Sequence, residues 1–296
     1  MELRVLKFFL AVAREQSISG AAEYLYLSQP TLSRQLKELE DELGKQLFIR
    51  GNRKITLTEE GMLLRKRAEE ILELVKKAEN EISLSDEIIS GDIYIGAGET
   101  DAIRLIARTA KKIQDKYPLV RFHIFSGDSR DVSESLNKGL IDFGILFEPA
   151  NLSKYDYLSI PVCDTWGVLM KKDAPLSEKK GITPEDLWDK PLLISRQQRD
   201  GSSLMNWFGK KYDELNVSAS YNLVYNASLM VDEDMGYALT LAKLINTTGD
   251  SDLCFIPLEP KLKAKISFAW KKYQIFTKAG EKFLEQFKED IAQYSK

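Results

Sequence analysis

At 296 residues with a formal net charge of −3, the chain is long enough for two or three folding units of roughly 100–200 residues each. It is too acidic overall to coat nucleic acid indiscriminately, although a small basic head stays possible because surface fields are screened over about 10 Å. Its 44% hydrophobic and 29% charged residues are those of an ordinary globular protein. Cys163 and Cys254 are too few for a disulfide framework and read as reduced, buried thiols rather than a redox pair. Met1 begins directly on a helical pattern with no leader, and no stretch approaches the ~20 apolar residues of a membrane span. A cytoplasmic protein is expected.

Leu3, Leu6, Phe9, Leu10 and Ala13 form one apolar stripe and predict a first helix. Ser17 is placed to cap a second, to which Ala21, Ala22 and Leu25 give a close-packing face. Ser28 caps a third, and Pro30 sits in its first turn, where a missing N–H costs nothing. Leu32, Leu36, Leu39 and Leu43 recur at helical spacing and face inward, and Gly44 ends the helix as a left-handed cap. The opposite face carries Gln29, Thr31, Ser33, Arg34, Gln35 and Lys37, side chains that hydrogen-bond base edges and phosphates in a major groove. Phe48-Ile49-Arg50 and Lys54-Ile55-Thr56 flank Gly51-Asn52-Arg53, a hairpin tip with an arginine on it. A polar helix face is ordinarily just solvated. The order of signals in residues 17–58 favours a helix-turn-helix with a small β wing.

Leu27-Ser28-Gln29-Pro30, Ser33-Arg34-Gln35, Leu39-Glu40, Leu43-Gly44, Leu47-Phe48, Arg50 and Leu57-Thr58-Glu59-Glu60-Gly61 resemble the N-terminal signature of LysR-type transcriptional regulators. Gly20 departs, standing where that family often has a basic or polar residue, and removes one phosphate contact. The residues and the resemblance nominate Ser28, Gln29, Pro30, Thr31, Ser33, Arg34, Lys37, Arg50, Arg53 and Lys54 for DNA. A symmetric dimer then reads an interrupted inverted repeat in double-stranded DNA.

Thr58 caps a long helix, with Glu59 and Glu60 at its positive end. Leu64, Ala68, Ile71, Val75, Ala78 and Ile82 follow at alternating four- and three-residue steps, a heptad seam suited to a partner helix. The alternative is a helix lying on its own domain core. The resemblance implies that this linker helix pairs two reading heads, that tetramers form as pairs of dimers, and that RNA polymerase is a further partner.

Residues 83–91 turn small and acidic and read as a linker. Strand–helix alternation follows. Strands are expected at 93–95, 120–125, 141–147, 166–170, 192–195, 220–224, 237–241, 255–257 and 266–270. Helices are expected at about 100–117, after a capping box of Asp131 and Glu134, after Thr183-Pro184-Glu185-Asp186, and at about 203–212 and 227–234. A last helix from about 279 buries Phe283, Leu284, Phe287 and Ile291. The alternation implies parallel sheets covered on both faces, in two consecutive α/β units that cross at about 161–164. Gly91-Asp92-Ile93-Tyr94-Ile95-Gly96, Tyr117-Pro118, Gly139-Leu140-Ile141-Asp142 and Met235-Gly236-Tyr237-Ala238-Leu239 extend the resemblance, while Glu233-Asp234 replaces a common glycine or alanine pair. The fold class is therefore α/β: a winged helix-turn-helix at 1–58, a linker helix and hinge at 59–90, and a two-lobed, periplasmic-binding-protein-like effector domain at 91–296. The resemblance implies that the chain returns to its first lobe, with lobe I at about 91–161 and 266–296 and lobe II at about 162–265.

In open α/β sheets, ligands bind beyond the carboxyl ends of strands, near helix N-termini. That rule nominates Glu99, Thr100, Asp128, Ser129, Phe147, Ser195, Arg196 and Asn226. Thr100 is an effector contact by resemblance and otherwise a plain helix cap. A polar ligand is expected, with an anionic group preferred unless Glu99 and Asp101 turn inward and favour an amine. No catalytic constellation, zinc spacing, nucleophile turn or phosphate loop is present, and His123 reads as a satisfied strand histidine. The expectation is a ligand-responsive, LysR-type DNA-binding transcription regulator with no enzyme activity, cofactor or metal. The alternative is a cytoplasmic small-molecule-binding protein or transferase with a structural head, and a salt-dependent gel shift separates the two.

Overall fold

The computed structural model describes residues 1–51, 54–82, 88–147, 150–199 and 201–294. It separates into two units, Met1–Ser83 and Leu84–Lys296.

The first unit runs α1 (Leu3–Glu15), α2 (Ile18–Tyr24), α3 (Gln29–Leu43), β1 (Phe48–Arg50), β2 (Ile55–Leu57) and α4 (Glu59–Ile82). Its helix ends are written in the sequence. Ser17 Oγ accepts from the Gly20 amide at 3.2 Å, and Ser28 Oγ from the Thr31 amide at 3.4 Å. Gly44 ends α3 at φ 64°, a conformation only glycine adopts without strain. Leu6, Phe9, Val12, Leu32, Leu36, Leu39 and Leu47 form the core. Leu43 does not join it and is 41% exposed, because the last turn of α3 runs past the packed helices. Glu40 Oε1 accepts the Leu47 amide at 2.7 Å and the Phe48 amide at 3.2 Å, which ties the wing to α3. The wing pairs Phe48 with Leu57 and Arg50 with Ile55. Asn52 and Arg53, at its expected tip, lie outside the described residues.

Helix α4 has two halves. Ala68 is fully buried, and Leu64, Ile71 and Leu72 pack against the same core. The first half of the expected seam therefore covers its own head. Ala78 and Ile82 are exposed and Val75 is half-buried.

The second unit begins with β3 (Gly91–Ala97), α5 (Ile103–Lys116), β4 (Val120–Ser126), α6 (Ser129–Lys138), β5 (Phe143–Phe147) and β6 (Tyr155–Ser159). It crosses into β7 (Asp164–Lys171), β8 (Leu192–Ser195), α7 (Ser203–Phe208), β9 (Val217–Tyr221), α8 (Val224–Asp232), β10 (Tyr237–Leu241), β11 (Leu253–Pro257) and β12 (Lys263–Ala264). It then returns as β13 (Ile266–Lys271) and α9 (Lys278–Tyr294). The first lobe is a sheet of order β4-β3-β5-β13-β6, and the second of order β11-β7-β10-β8-β9 with β12 on β7. The first core centres on Phe143, which stacks on Phe268 at 5.0 Å and Phe276 at 4.9 Å. The second centres on Val168, Leu192, Ile194, Phe208 and Leu239.

Several expectations are corrected. The sheets are mixed rather than parallel: β4-β3-β5 and β9-β8-β10 are parallel, while β13 and β7 lie antiparallel to both their neighbours. Strand β6 was not foreseen. Helix α6 is capped by Asp128 with Asp131 at its third position, not by Asp131 with Glu134. The Thr183 box opens a single 3-10 turn, Pro184–Asp186. β9 and α8 each begin three residues earlier than expected.

The two crossings between lobes run side by side. The Ile160 amide donates to the Ile266 carbonyl at 3.0 Å. Ser159 pairs with Ser267 on one side of the crossing, and Asp164 with Ala264 on the other.

Candidate functional site

Helix α3 in the first unit divides its charge along its length. Its first nine residues hold Arg34 and Lys37 and no acid; Glu38, Glu40, Asp41 and Glu42 fall in the last six. Gln29, Pro30, Thr31, Arg34 and Lys37 are exposed and Ser33 is half-buried. Ser28 and Thr31 bond hydroxyl to hydroxyl at 2.8 Å. Arg34 is 71% exposed, and its Nε lies 3.7 Å from Glu38, a loose pair that leaves its fork free to turn. A helix N-terminus carries partial positive charge, so the first half of α3 is the part suited to a polyanion. Lys54 is exposed beside the wing. Arg50 lies in β1, its side chain not described.

In the second unit the carboxyl ends of both sheets meet around a cavity of about 330 Å³. Five of the nominated residues line it: Glu99, Asp128, Ser129, Phe147 and Ser195. Trp166, Gln197, Tyr221, Thr240 and Lys263 line it too and were not nominated. Tyr221 ends β9 and would have followed from the strand-end rule had β9 been placed correctly. Trp166 lies on β7, expected as a strand but not as an antiparallel one, and Lys263 on β12, a two-residue strand with no sequence signal.

Thr100, Arg196 and Asn226 stand outside the lining. Thr100 is 3% exposed; its hydroxyl donates to Asp164 Oδ2 at 2.5 Å and accepts the Ala102 amide at 3.0 Å. Asn226 is exposed on α8. Arg196 reaches the other lobe. Its Nε donates to Asp128, and its other arm to Asp131 Oδ2 at 2.8 Å. Asp128 also accepts the amides of Arg130 at 2.9 Å and Asp131 at 3.2 Å. Burial alone would raise the Asp128 carboxyl, but the Arg196 hydrogen bond and these two amides outweigh it and hold the pKa below its ordinary value.

Three further contacts bridge the lobes. Glu99 accepts the Val224 amide at the start of α8. Gln197 Oε1 accepts the Ser129 amide at 3.1 Å, and Lys243 Nζ lies 3.5 Å from Asp101. Burial pushes the Asp164 carboxyl above its ordinary range, the Thr100 hydrogen bond opposes that, and the nearby Asp101 charge adds to it.

Thr100→Val keeps the shape and strips the buried Asp164 and the Ala102 amide of a partner. The expected loss is roughly 1–3 kcal/mol at neutral pH. Because Asp164 titrates higher folded than unfolded, it favours folding below the ordinary carboxylate range and loses that favour as pH rises through its folded value. Without the Thr100 donor its pKa rises further, so the deficit of the variant should shrink as pH falls toward ~4. Melting curves against pH check this, and a pH-independent deficit would count against it.

His123 bonds Asp92 Oδ1 at 2.9 Å and stacks on Tyr94 at 4.7 Å. Cys163 is exposed and Cys254 half-buried; both are free, and burial pushes the Cys254 thiol up, away from thiolate reactivity. Among the described residues no group of His, Cys, Asp and Glu is arranged to hold a metal, and no helix is long and apolar enough to cross a membrane.

Residues 3–62 match the bacterial regulatory helix-turn-helix protein, lysR family, and residues 87–292 match the LysR substrate binding domain. The HTH-type transcriptional regulator BsdA of Bacillus subtilis (strain 168) is 38% identical over 224 residues, 73% of this chain and 74% of that one. The Hca operon transcriptional activator HcaR of Escherichia coli (strain K12) is 28% identical over 281 residues, 92% of each. The crystal structure of full-length CbnR complexed with target DNA matches with a TM-score of 0.74 at 20% identity, covering 98% of this chain and 100% of that one, a likeness of fold.

Proposed function

Since the chain belongs to the LysR family of DNA-binding transcriptional regulators, a non-enzymatic family, we propose that its response is set by a small polar metabolite held between the two lobes of its effector domain. The observation that carries this reading is the cavity of about 330 Å³ lined from both sheets at their carboxyl ends. A ligand there touches both lobes, so its affinity depends on how they are set, and only such a difference shifts an equilibrium. Residues 1–58 read DNA, 59–90 link and pair the heads, and 91–296 take the effector, all in the cytoplasm with RNA polymerase as a further partner. The test is a thermal-shift screen of metabolites on the full-length protein, repeated with Ser203→Trp, which fills one edge of the cavity. A ligand that changes DNA binding but is untouched by that substitution would place the effector elsewhere.

The DNA face we assign is Ser28, Gln29, Pro30, Thr31, Ser33, Arg34 and Lys37 on and before α3, with Arg50, Arg53 and Lys54 at the wing, reading an interrupted inverted repeat as a dimer or tetramer. Two-headed binding needs a pairing surface, and Val75, Ala78 and Ile82 on α4 are that part of the seam left off the head core. Ile71 supports the head and would be a confounded test. Ala78→Glu is exposed in the single chain and should fold normally. It would place a carboxylate opposite its symmetry mate, where an unpaired buried charge is unfavourable. Sedimentation should show a weakened dimer, and DNA affinity should fall with it, because linked heads gain effective concentration. Wild-type assembly by this variant would remove the seam.

A further inference from the structure

The two walls of the cleft differ in charge. Lobe I presents Asp101, Asp128 and Asp131, and lobe II answers with Lys243 and Arg196. Across the cleft three carboxylates meet two cations, and Arg104 of lobe I, 2.7 Å from Asp101, balances the third. What these pairs leave over at the cavity is Glu99 and Arg130 on lobe I and Lys263 on lobe II. Among the described residues, Glu99 on lobe I has no cationic partner; its Oε2 accepts the Val224 amide and Oε1 remains available. Lys263 on lobe II, in β12, also lines the cavity and has no partner among the described residues. Arg130, exposed in the first turn of α6 on the same lobe as Glu99, lines it as well and can join Lys263 on a ligand carboxylate. Phe147 from lobe I and Trp166 from lobe II supply apolar wall.

We infer that the cavity takes a zwitterion of the amino-acid class, its protonated amine on Glu99 and its carboxylate on Lys263. The inference rests on the cleft being the effector site. Glu99 is half-buried and Lys263 exposed, and a ligand seated between them takes water from both, which is unfavourable unless each charge is paired. A plain acid leaves Glu99 without a cation, and a plain amine leaves Lys263 without an anion. A zwitterion meets both. A carboxylate has two oxygens and about four lone-pair sites, so Glu99 can keep the Val224 amide while it takes an ammonium. The preference for an anion drawn from the strand-end rule is thereby revised: Glu99 faces the cavity, and the anionic group is half of what the ligand carries.

The experiment is titration calorimetry on the full-length protein with the twenty standard L-amino acids. Each one that binds is compared with its decarboxylated amine and its deaminated acid. At least one amino acid should bind, and its amine and acid should each bind about tenfold or more weakly, as for a lost charged hydrogen bond. Glu99→Gln should erase the preference over the acid, and Lys263→Met the preference over the amine. A general folding defect would not split the two preferences in this way. An acid or amine that binds as tightly as the amino acid overturns the inference, and so does the absence of any amino-acid binding. If a plain acid binds and Ser203→Trp blocks it, the effector cleft stands and the zwitterion falls. If amino-acid binding survives Ser203→Trp, both fall.

Discussion

Gly61→Ala is expected to abolish DNA binding by the full-length protein. Gly61 is buried in the first turn of α4, and a Cβ there would lie 2.1 Å from the Leu47 carbonyl oxygen and 3.1 Å from Leu57 Cδ2. The obstacle is backbone, so no side chain can swing aside. The same carbonyl accepts the Thr58 amide at 3.0 Å, and Thr58 caps α4 while donating to the Gln46 carbonyl at 2.8 Å. Helix, wing and α3 are joined through these atoms. Making room for one methyl means moving α4 off the wing, with an expected loss of about 3 kcal/mol. Gly20→Ala is the matched control: its Cβ meets nothing nearer than 3.6 Å, and the helix gains about 0.5–1 kcal/mol. Gel shifts and proteolysis of the head at several temperatures distinguish the two. Normal binding by Gly61→Ala at 37 °C would show that the head tolerates the shift.

Arg34→Ala is expected to weaken specific binding by about 1–3 kcal/mol, roughly ten- to a hundredfold, and to relax sequence preference at the position it reads. Arg34 is exposed, loosely held by Glu38, and sits in the acid-free half of α3. Lys54→Ala should weaken all sequences alike and reduce the salt slope by about one. Fluorescence anisotropy on specific and scrambled duplexes across salt concentrations measures both. An unchanged ratio of specific to scrambled affinity for Arg34→Ala would take that arginine off the bases.

What was legible in the sequence was local. Ser17, Ser28, Thr58 and Gly44 mark helix ends through hydrogen bonds within a few residues, and each was read in place. The run Leu57-Thr58-Glu59-Glu60-Gly61 was readable as part of a family signature, but the physical reason for Gly61 is a contact with Leu47, fourteen positions away. Strand β6 was missed because Asp156 and Tyr157 lie exposed on a sheet edge, where alternation fades. α8 was displaced because Leu223, before its first turn, caps with no side chain. In the cleft, the strand-end rule found Glu99, Asp128, Ser129, Phe147 and Ser195, since it needs only local order. It could not show that Arg196 is bonded to Asp128 and Asp131, 68 and 65 residues away, or that the Thr100 hydroxyl is bonded to Asp164, which keeps both off the cavity lining. Side chains spent on one another look the same in sequence as side chains held ready for a ligand.

The paired crossing between the lobes has a mechanical consequence. A single connecting strand would leave one lobe free to swivel about three axes. Here two antiparallel segments cross together, zipped at Ser159–Ser267 before the gap and Asp164–Ala264 after it. A ribbon of that kind bends easily across its flat face, and resists shear and twist because both would break its ladder. The lobes are thereby confined to something close to one angular coordinate, with Asp164 itself standing at the strap. Under the proposed function, ligands of different shape would have only one degree of freedom on which to act, how far the lobes open and not the direction in which they move.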